Sequence, residues 1–367
     1  MEVEILNISP LIRPEHYHSP IIFETEHRQI FENQWVFAGF LSDLQKENDF
    51  ITTQVGKKSV VIQNVKGQLK AFLNVCSHRF SKIQCETKGN RALICPYHGW
   101  AYDIKGLPLG IPRKPNFGTL TKEKLQELAL EEYHLEICGA LVFVKKQTEH
   151  HQTLSVFLGH AYNTLLQTSQ AFGKLIDRNE MVVDANWKIV VENTLEAYHI
   201  NQVHTTTFKP IFGEQKEFNK ENTHTSIEVD LHTDFQKIEK MYESRPYKLA
   251  GYFHLYIFPN LTLASSYGSS FSLQHFVPLN ANQTSFVSYV FQTELNDEQL
   301  SRKEQIMLNA MNDSIINFNR TVFEEDKYIC EKVQEGVAMT SKLGILSTEE
   351  ERVLEFHKAY QNLMTDE

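Results

Sequence analysis

Two short stretches, Cys-Ser-His at 76–78 and Cys-Pro-Tyr-His at 95–98, each offer one thiol and one imidazole, with sixteen residues between them. A [2Fe–2S] cluster with two thiolates on one iron and two neutral imidazoles on the other needs one Cys and one His from each of two facing loops. Cys76, His78, Cys95 and His98 are therefore its candidate ligands. Two imidazoles in place of thiolates remove negative charge, which lifts the reduction potential to roughly −150 to +300 mV against about −400 mV for an all-cysteine plant-type cluster. A structural zinc site instead groups cysteine with cysteine and histidine with histidine, and the mixed halves found here fail that pattern. Gly99 and the region of Asn90 allow tight turns, Pro96 stiffens the second loop, and Tyr97 and Trp100 can shield a cluster from water. Cys85, between the loops, reads as a small buried hydrophobe rather than a ligand.

A cluster of this kind passes single electrons and performs no substrate chemistry, so the rest of the chain needs its own explanation. The segment Asn186–His204 reads as one helix and places Glu196, His199 and His204 within nine residues. Around such a helix Glu196 and His199 stand about 60° apart and His199 and His204 roughly 140° apart. The helix must bend or end if both imidazoles are to bind one ion. Two histidines and one carboxylate leave three positions open on an iron, the arrangement of mononuclear non-haem Fe(II) oxygenases. The carboxylate should be remote in sequence. Asp326 is the first candidate, and Glu325, Glu324 and Asp313 are rivals that residue physics alone leaves open.

Around these motifs the text divides in two. From Gln34 to about Lys146, short β segments (WVFAGF, SVVIQNV, KAFLNV, ALICPYHGWAYD, ALVFVKK) are broken at Lys66-Gly67, Lys88-Gly89-Asn90 and Lys105-Gly106. Helical periodicity follows over Gln147–Gly173, then the helix at Asn186–His204. Aromatic-rich alternating runs at 252–258, 271–279 and 284–295 predict a second, larger antiparallel sheet. A long helical stretch from about Asp297 to Glu335 and a short one near 348–363 complete the chain. Tyr252, Phe253, Tyr256, Phe258, Tyr267, Phe271 and Phe276 offer faces for a methylammonium cation, although rings alternating on strands are more often sheet core.

The 367 residues are 41% hydrophobic and 22% charged, enough apolar surface for two or three packed domains. A formal charge of −10 and the lack of a Lys/Arg-rich run argue against nucleic acid as partner. The first twenty residues are acidic and interrupted by prolines, unlike a secretory signal, and no run of eighteen apolar residues could span a membrane. Five cysteines are too few and odd in number for a disulfide framework, so a cytoplasmic protein is expected.

The wording LNVCSHR and CPYHGWAYDIKG resembles the Rieske domain. With NWKIVVENTLEAYHINQVH downstream, the chain resembles from about Trp35 to Gln334 the α subunit of Rieske non-haem iron oxygenases. That family includes aromatic-ring hydroxylating dioxygenases and choline, betaine and carnitine monooxygenases. One departure is Phe80, where the family usually has glycine after His-Arg.

The resemblance implies an α+β chain: an N-terminal segment at 1–34 packing on the catalytic domain, an all-β Rieske [2Fe–2S] domain at 35–148, and a catalytic domain at 149–367. The last would be a helix-grip (START/Bet v 1-like) fold, an antiparallel sheet wrapped around a long helix, in which Phe258-Pro259-Asn260 also looks like a family feature. His199, His204 and Asp326 would hold one mononuclear Fe(II), since Glu325-Asp326 resembles the family segment whose aspartate is the ligand. The family usually forms a homotrimer in which one subunit's cluster lies beside its neighbour's iron. His98 would then reach Glu196, an electron-transfer bridge to His199, at a position where most ring-hydroxylating members carry aspartate. Glutamate there resembles the quaternary-ammonium branch.

The implied activity is that of a terminal oxygenase. It would use O2 to hydroxylate a small organic molecule, possible C–N cleavage of a quaternary ammonium compound included. Electrons would come from NAD(P)H through a separate flavin/iron–sulfur reductase or a ferredoxin, because no G-x-G-x-x-G fingerprint follows a strand here. The alternatives are a ring-hydroxylating dioxygenase forming a cis-dihydrodiol and a Rieske electron carrier without oxygenase chemistry.

Overall fold

The computed structural model describes residues 9–148, 152–295 and 300–364. They form two compact units, residues 27–157 and the described remainder on either side. The expected start of the long helix at Asp297 lies outside the described residues.

In chain order the helices are α1 (Pro20–Glu26), α2 (Lys122–Glu127), α3 (Leu154–Leu158), α4 (Ala161–Gln170), α5 (Trp187–Thr194), α6 (Ile200–Val203), α7 (Gln236–Glu239), α8 (Arg302–Val337) and α9 (Glu351–Met364). No described helix is long and apolar enough to cross a membrane.

The first unit is built on β1 (Val36–Phe40), β2 (Asp49–Val55), β3 (Lys58–Val65), β4 (Gln68–Leu73), β5 (Lys88–Asn90), β6 (Ala101–Tyr102), β7 (Pro108–Gly110), β8 (Glu132–Cys138) and β9 (Leu141–Lys146). Seven of these pair antiparallel in the order β1-β9-β8-β4-β3-β2-β5, and β6 pairs with β7. The β3–β4 hairpin turns at Lys66-Gly67, both with positive φ, which suits the right-handed twist of the strands it joins. Two local readings are corrected here. Lys88-Gly89-Asn90 is not a turn but the edge strand β5. The run 92–103 is mostly loop, because its apolar residues Leu93, Cys95, Trp100 and Tyr102 are buried by a small core around Phe72 and Leu130 rather than by a strand ladder.

The second unit holds β10 (Phe172–Val183), β11 (Phe212–Gln215), β12 (Asn219–Glu221), β13 (His224–Leu231), β14 (Tyr252–Ile257), β15 (Leu261–Ser266), β16 (Ser270–Asn280) and β17 (Gln283–Thr293). All pair antiparallel in the order β10-β17-β16-β15-β14-β13-β11, with β12 also on β13. The three aromatic runs are β14, β16 and β17. The 36-residue α8 begins at a capping box, Ser301 with Glu304, which satisfies donors at the helix start reciprocally. It is tied to the sheet by Asn312 Nδ2 donating to Gln292 Oε1 at 2.8 Å and by Arg320 paired to Asp177 at 2.6 and 3.0 Å. Long helix against antiparallel sheet is the helix-grip arrangement.

The predicted helix over Asn186–His204 is broken in two. Asn186 caps α5 by accepting from Lys188 N at 3.1 Å, and α5 stops at Thr194. Residues 195–199 turn, and α6 follows. Residues 187–191 of α5 are all buried, Lys188 included at 0% exposure. The Lys188 ammonium pairs with Glu26 at the end of α1, and Glu26 also accepts from Trp187 Nε1 (2.8 Å) and Tyr360 Oη (2.7 Å). A buried ion pair persists only when its remaining hydrogen-bond capacity is met, as here. Tyr17 Oη donating to Glu192 at 2.8 Å and Leu11 N donating to His357 further fix the N-terminal segment on this unit.

Candidate metal centres

The cluster motif lies on two loops. Cys76 N donates to Ser81 O (2.8 Å) and Phe80 N to Cys76 O (3.0 Å); in parallel Cys95 N donates to Trp100 O (2.8 Å) and Gly99 N to Cys95 O (3.0 Å). Each loop thus folds back on its own cysteine. The residue that closes each return has a left-handed backbone, Gly99 at φ +73° and Phe80 at φ +60°. The second value gives the physical sense of a glycine after His-Arg: the turn wants positive φ, and Phe80 adopts it with its ring 78% exposed.

Both loop cysteines are buried, and none of the five cysteines, all of them among the described residues, forms a disulfide. Cys85 is exposed, contrary to the reading of it as core. Burial raises the Cys76 thiol pKa, opposed by the Tyr102 hydroxyl 3.1 Å from its sulfur. Tyr102 also accepts from Ser77 N at 3.0 Å. The His78 and His98 rings lie 4.7 Å apart, centroid to centroid. Trp100 is buried and stacks on His78 at 4.9 Å and 6°, whereas Tyr97 stays 56% exposed against His98. His78 Nδ1 is buried without a partner, and burial lowers the ring's pKa, favouring the neutral form. Two sheltered thiols and an orphaned neutral imidazole nitrogen fit a thiolate–imidazole cluster.

A buried amide network stitches the approaches to the two loops. Asn74 Oδ1 accepts from Ile83 N (3.1 Å) and Gln84 N (2.9 Å); Gln84 Nε2 donates to Gln63 Oε1 and to Arg91 O, both 2.9 Å. Arg91 returns bonds to Gln84 Oε1 and Ile94 O at 3.0 Å.

In the second unit His199, His204 and Asp326 present one ligand atom each, all within 4.8 Å of one another. His199 Nε2 lies 3.1 Å from His204 Nε2 and 3.6 Å from Asp326 Oδ1, which is 3.1 Å from His204 Nε2. The break after α5 allows this: His199 sits just before α6 and His204 just after it, so neither is bound to one helical face. Asp326 comes from α8, on the stripe of Val322, Cys330 and Gln334.

The outer nitrogens are committed. His199 Nδ1 bonds Glu196 Oε1, while His199 N donates to Glu196 Oε2 at 3.2 Å. The contact between these two residues is therefore a turn and not a shared helical face. His204 Nδ1 bonds Glu325 Oε2 at 2.7 Å, and Thr207 Oγ1 donates to the same oxygen at 2.7 Å. With both Nδ1 atoms held by carboxylates, the Nε2 lone pairs are left for a metal. Burial alone would lower the pKa of His199, but hydrogen bonding to Asp326 and Glu196 raises it to about 9. Burial likewise opposes ionisation of Asp326, and the His199, His204 and Asn193 contacts overcome it. The site favours added positive charge, which suits a divalent ion.

Of the rival carboxylates, Glu325 is recruited to orient His204, and Glu324 and Asp313 are exposed. Sequence reasoning missed Asn193, whose Nδ2 donates to Asp326 Oδ1 at 2.8 Å, and Thr207; neither belongs to a recognisable spacing. The triad opens on a cavity of about 740 Å³. Tyr252, Tyr267 and Phe276 line it, whereas Phe253, Tyr256, Phe258 and Phe271 are core. Phe208 and Phe318, not singled out before, also line it. The Phe208 ring stands edge-on to His204 (5.5 Å), Tyr252 (6.0 Å) and Phe318 (5.1 Å).

Comparison with known proteins matches both halves of the chain. Residues 34–133 match the Rieske [2Fe–2S] domain, and residues 173–366 match the ring hydroxylating alpha subunit (catalytic domain). The oxygenase subunit of glycine betaine monooxygenase from Pseudomonas aeruginosa is 31% identical over 194 residues, 52% of this chain and 44% of that relative's length. Chloroplastic choline monooxygenase from Atriplex hortensis is 25% identical over 337 residues, 88% of this chain and 70% of its own. A quaternary ammonium Rieske monooxygenase solved with L-carnitine has the same fold at 20% identity, with a TM-score of 0.78 covering 99% of this chain and 97% of that one. This chain belongs to the ring-hydroxylating α-subunit family, with a Rieske domain ahead of the catalytic domain.

Proposed function

We propose that this chain is the terminal oxygenase of a multicomponent system that hydroxylates a small organic substrate. The observation that carries this reading is the triad of His199, His204 and Asp326 opening on an aromatic-lined cavity. An electron carrier has no use for such a site. Cys76, His78, Cys95 and His98 would hold the [2Fe–2S] cluster, and the triad one Fe(II). Bound there, the cluster would supply single electrons and the iron would activate dioxygen at the substrate.

The protein's own part is positional. Glu196 and Glu325 hold the two imidazoles by Nδ1, Asn193 holds Asp326, and the Phe208–Tyr252–Phe318 rings keep the substrate end dry. In a homotrimer the exposed His98 of one subunit would face Glu196 of the next, making Glu196 the electron bridge. Electrons would come from NAD(P)H through a separate reductase or ferredoxin.

For the substrate we favour a quaternary ammonium compound, supported by the glycine betaine and choline relatives. Hydroxylation beside the nitrogen gives an unstable hemiaminal, and C–N cleavage follows. Ring dihydroxylation is the second reading, supported by the phenyl-lined cavity; a cis-diol product would select it over released formaldehyde or trimethylamine. Iron analysis tests the whole. Three irons per subunit are expected in the parent and two in His199→Ala, whose cluster absorbance and reducibility should stay intact while product formation is lost. Two irons in the parent, or turnover surviving in the variant, would remove the oxygenase reading.

A further inference from the structure

One wall of the cavity carries a charge that the metal chemistry leaves unused. Arg352, in the first turn of α9, is 5% exposed and lines the same cavity as the triad. Its partners are neutral: Nε donates to Thr225 Oγ1 at 3.1 Å, and one terminal nitrogen donates to His254 Nδ1 at 3.0 Å. Among the described residues no carboxylate pairs with it, and its other terminal nitrogen has no acceptor. Burial lowers its pKa only to about 10, so it remains a cation at neutral pH. A buried guanidinium without an anion is costly unless a partner arrives.

His254, on β14, extends the same feature. It is 5% exposed, lines the cavity, and is held neutral by burial and by Arg352. With Nδ1 accepting from the guanidinium, the ring proton sits on Nε2, which likewise has no acceptor among the described residues. Each side chain thus keeps an unused donor, that of His254 on the ring edge away from the guanidinium. Tyr252, two residues before His254 and also lining the cavity, feels the charges of both Arg352 and Asp326. Guanidinium and triad therefore serve one binding space.

We infer that Arg352, held in place by His254 and Thr225, forms an anchoring subsite for a carboxylate of the substrate, so that the molecule oxidised at the triad is a carboxylic acid or a zwitterion. The inference rests on the oxygenase reading above and narrows it. A planar guanidinium fork matches a carboxylate with two parallel hydrogen bonds, and the His254 and Thr225 contacts fix the plane of that fork. A neutral hydrocarbon would leave the guanidinium unpaired, and a simple cation would meet a like charge. The rings of Phe208, Phe318 and Tyr252 remain for the other end, whether methylammonium or arene.

The test is equilibrium binding by calorimetry to iron-loaded full-length protein without oxygen, so that turnover plays no part. Two matched pairs serve as probes, glycine betaine against choline and benzoate against benzamide. The carboxylate of at least one pair is expected to bind about 10-fold or more tighter than its partner. Arg352→Gln should reduce that preference to about twofold or less, and Arg352→Lys should retain part of it. Equal binding within both pairs, no binding by either carboxylate, or a preference undiminished in Arg352→Gln would overturn the inference. Should the Gln variant fail to fold, the parent's preference and the Lys variant still decide. Iron analysis of the same preparation keeps the two proposals apart: three irons without carboxylate preference removes this inference alone.

Discussion

The two metal motifs are built on opposite plans. The cluster loops draw all four candidate ligands from 23 consecutive residues, fold back on their own cysteines and are tied by buried amides of the same small unit. The triad draws on a turn after α5 and on a helix more than a hundred residues later, and only the packing of α1, α5, α8 and α9 brings these together. A local site stands on hydrogen bonds within its loops, whereas a dispersed site stands on the rigidity of a unit.

Substitutions away from the ligands sharpen that contrast. Lys188→Met leaves Glu26 charged and buried without its ammonium and should cost about 3–5 kcal/mol. Denaturant unfolding of the second unit, followed with its iron content, reads the loss, and the cluster spectrum should not change. Equal loss of cluster and triad iron would contradict the separation. Glu325→Gln should weaken iron binding at the triad by about 10–100-fold in chelator competition, because His204 loses its anionic partner.

Gln84→Ala turns the comparison round. It strands buried donors and acceptors of the amide network at a cost of about 1–3 kcal/mol. The cluster should be lost at lower denaturant while the triad keeps its iron. Phe80→Gly has the smallest effect, a gain within about 1 kcal/mol as left-handed strain is relieved and partly offset by chain entropy. A loss of cluster stability in this variant would mean that the exposed ring has a packing role.

What could be read in the sequence follows the same divide. The cluster residues and the two triad histidines were legible because cysteine and histidine are scarce and their spacing is local. The α8 carboxylate was open between Asp326, Glu325, Glu324 and Asp313, since choosing among neighbours on a helix needs its rotation against the sheet. Aromatic alternation gave β14, β16 and β17. It missed β10, an edge strand whose solvent-facing positions carry Lys174, Arg178 and Glu180. The apolar run at 92–103 misled because burial in a small core leaves the same composition as a strand. Nothing in the text marks Lys188 as buried, or joins Arg352 to His254, because each pairing is made only by the fold.

Glu325 and Asp326 are consecutive, yet they grip opposite nitrogens of one imidazole. The preceding residue is Glu324, and the following one is Lys327. Adding one residue to α8 upstream would bring Glu324 and Glu325 into the two places, so acidic groups would still flank the ring. Removing one would deliver Lys327 to the ion. A one-residue gain would thus keep the charge around the ring while displacing the buried stripe of Val322, Cys330 and Gln334, and a one-residue loss would forfeit both.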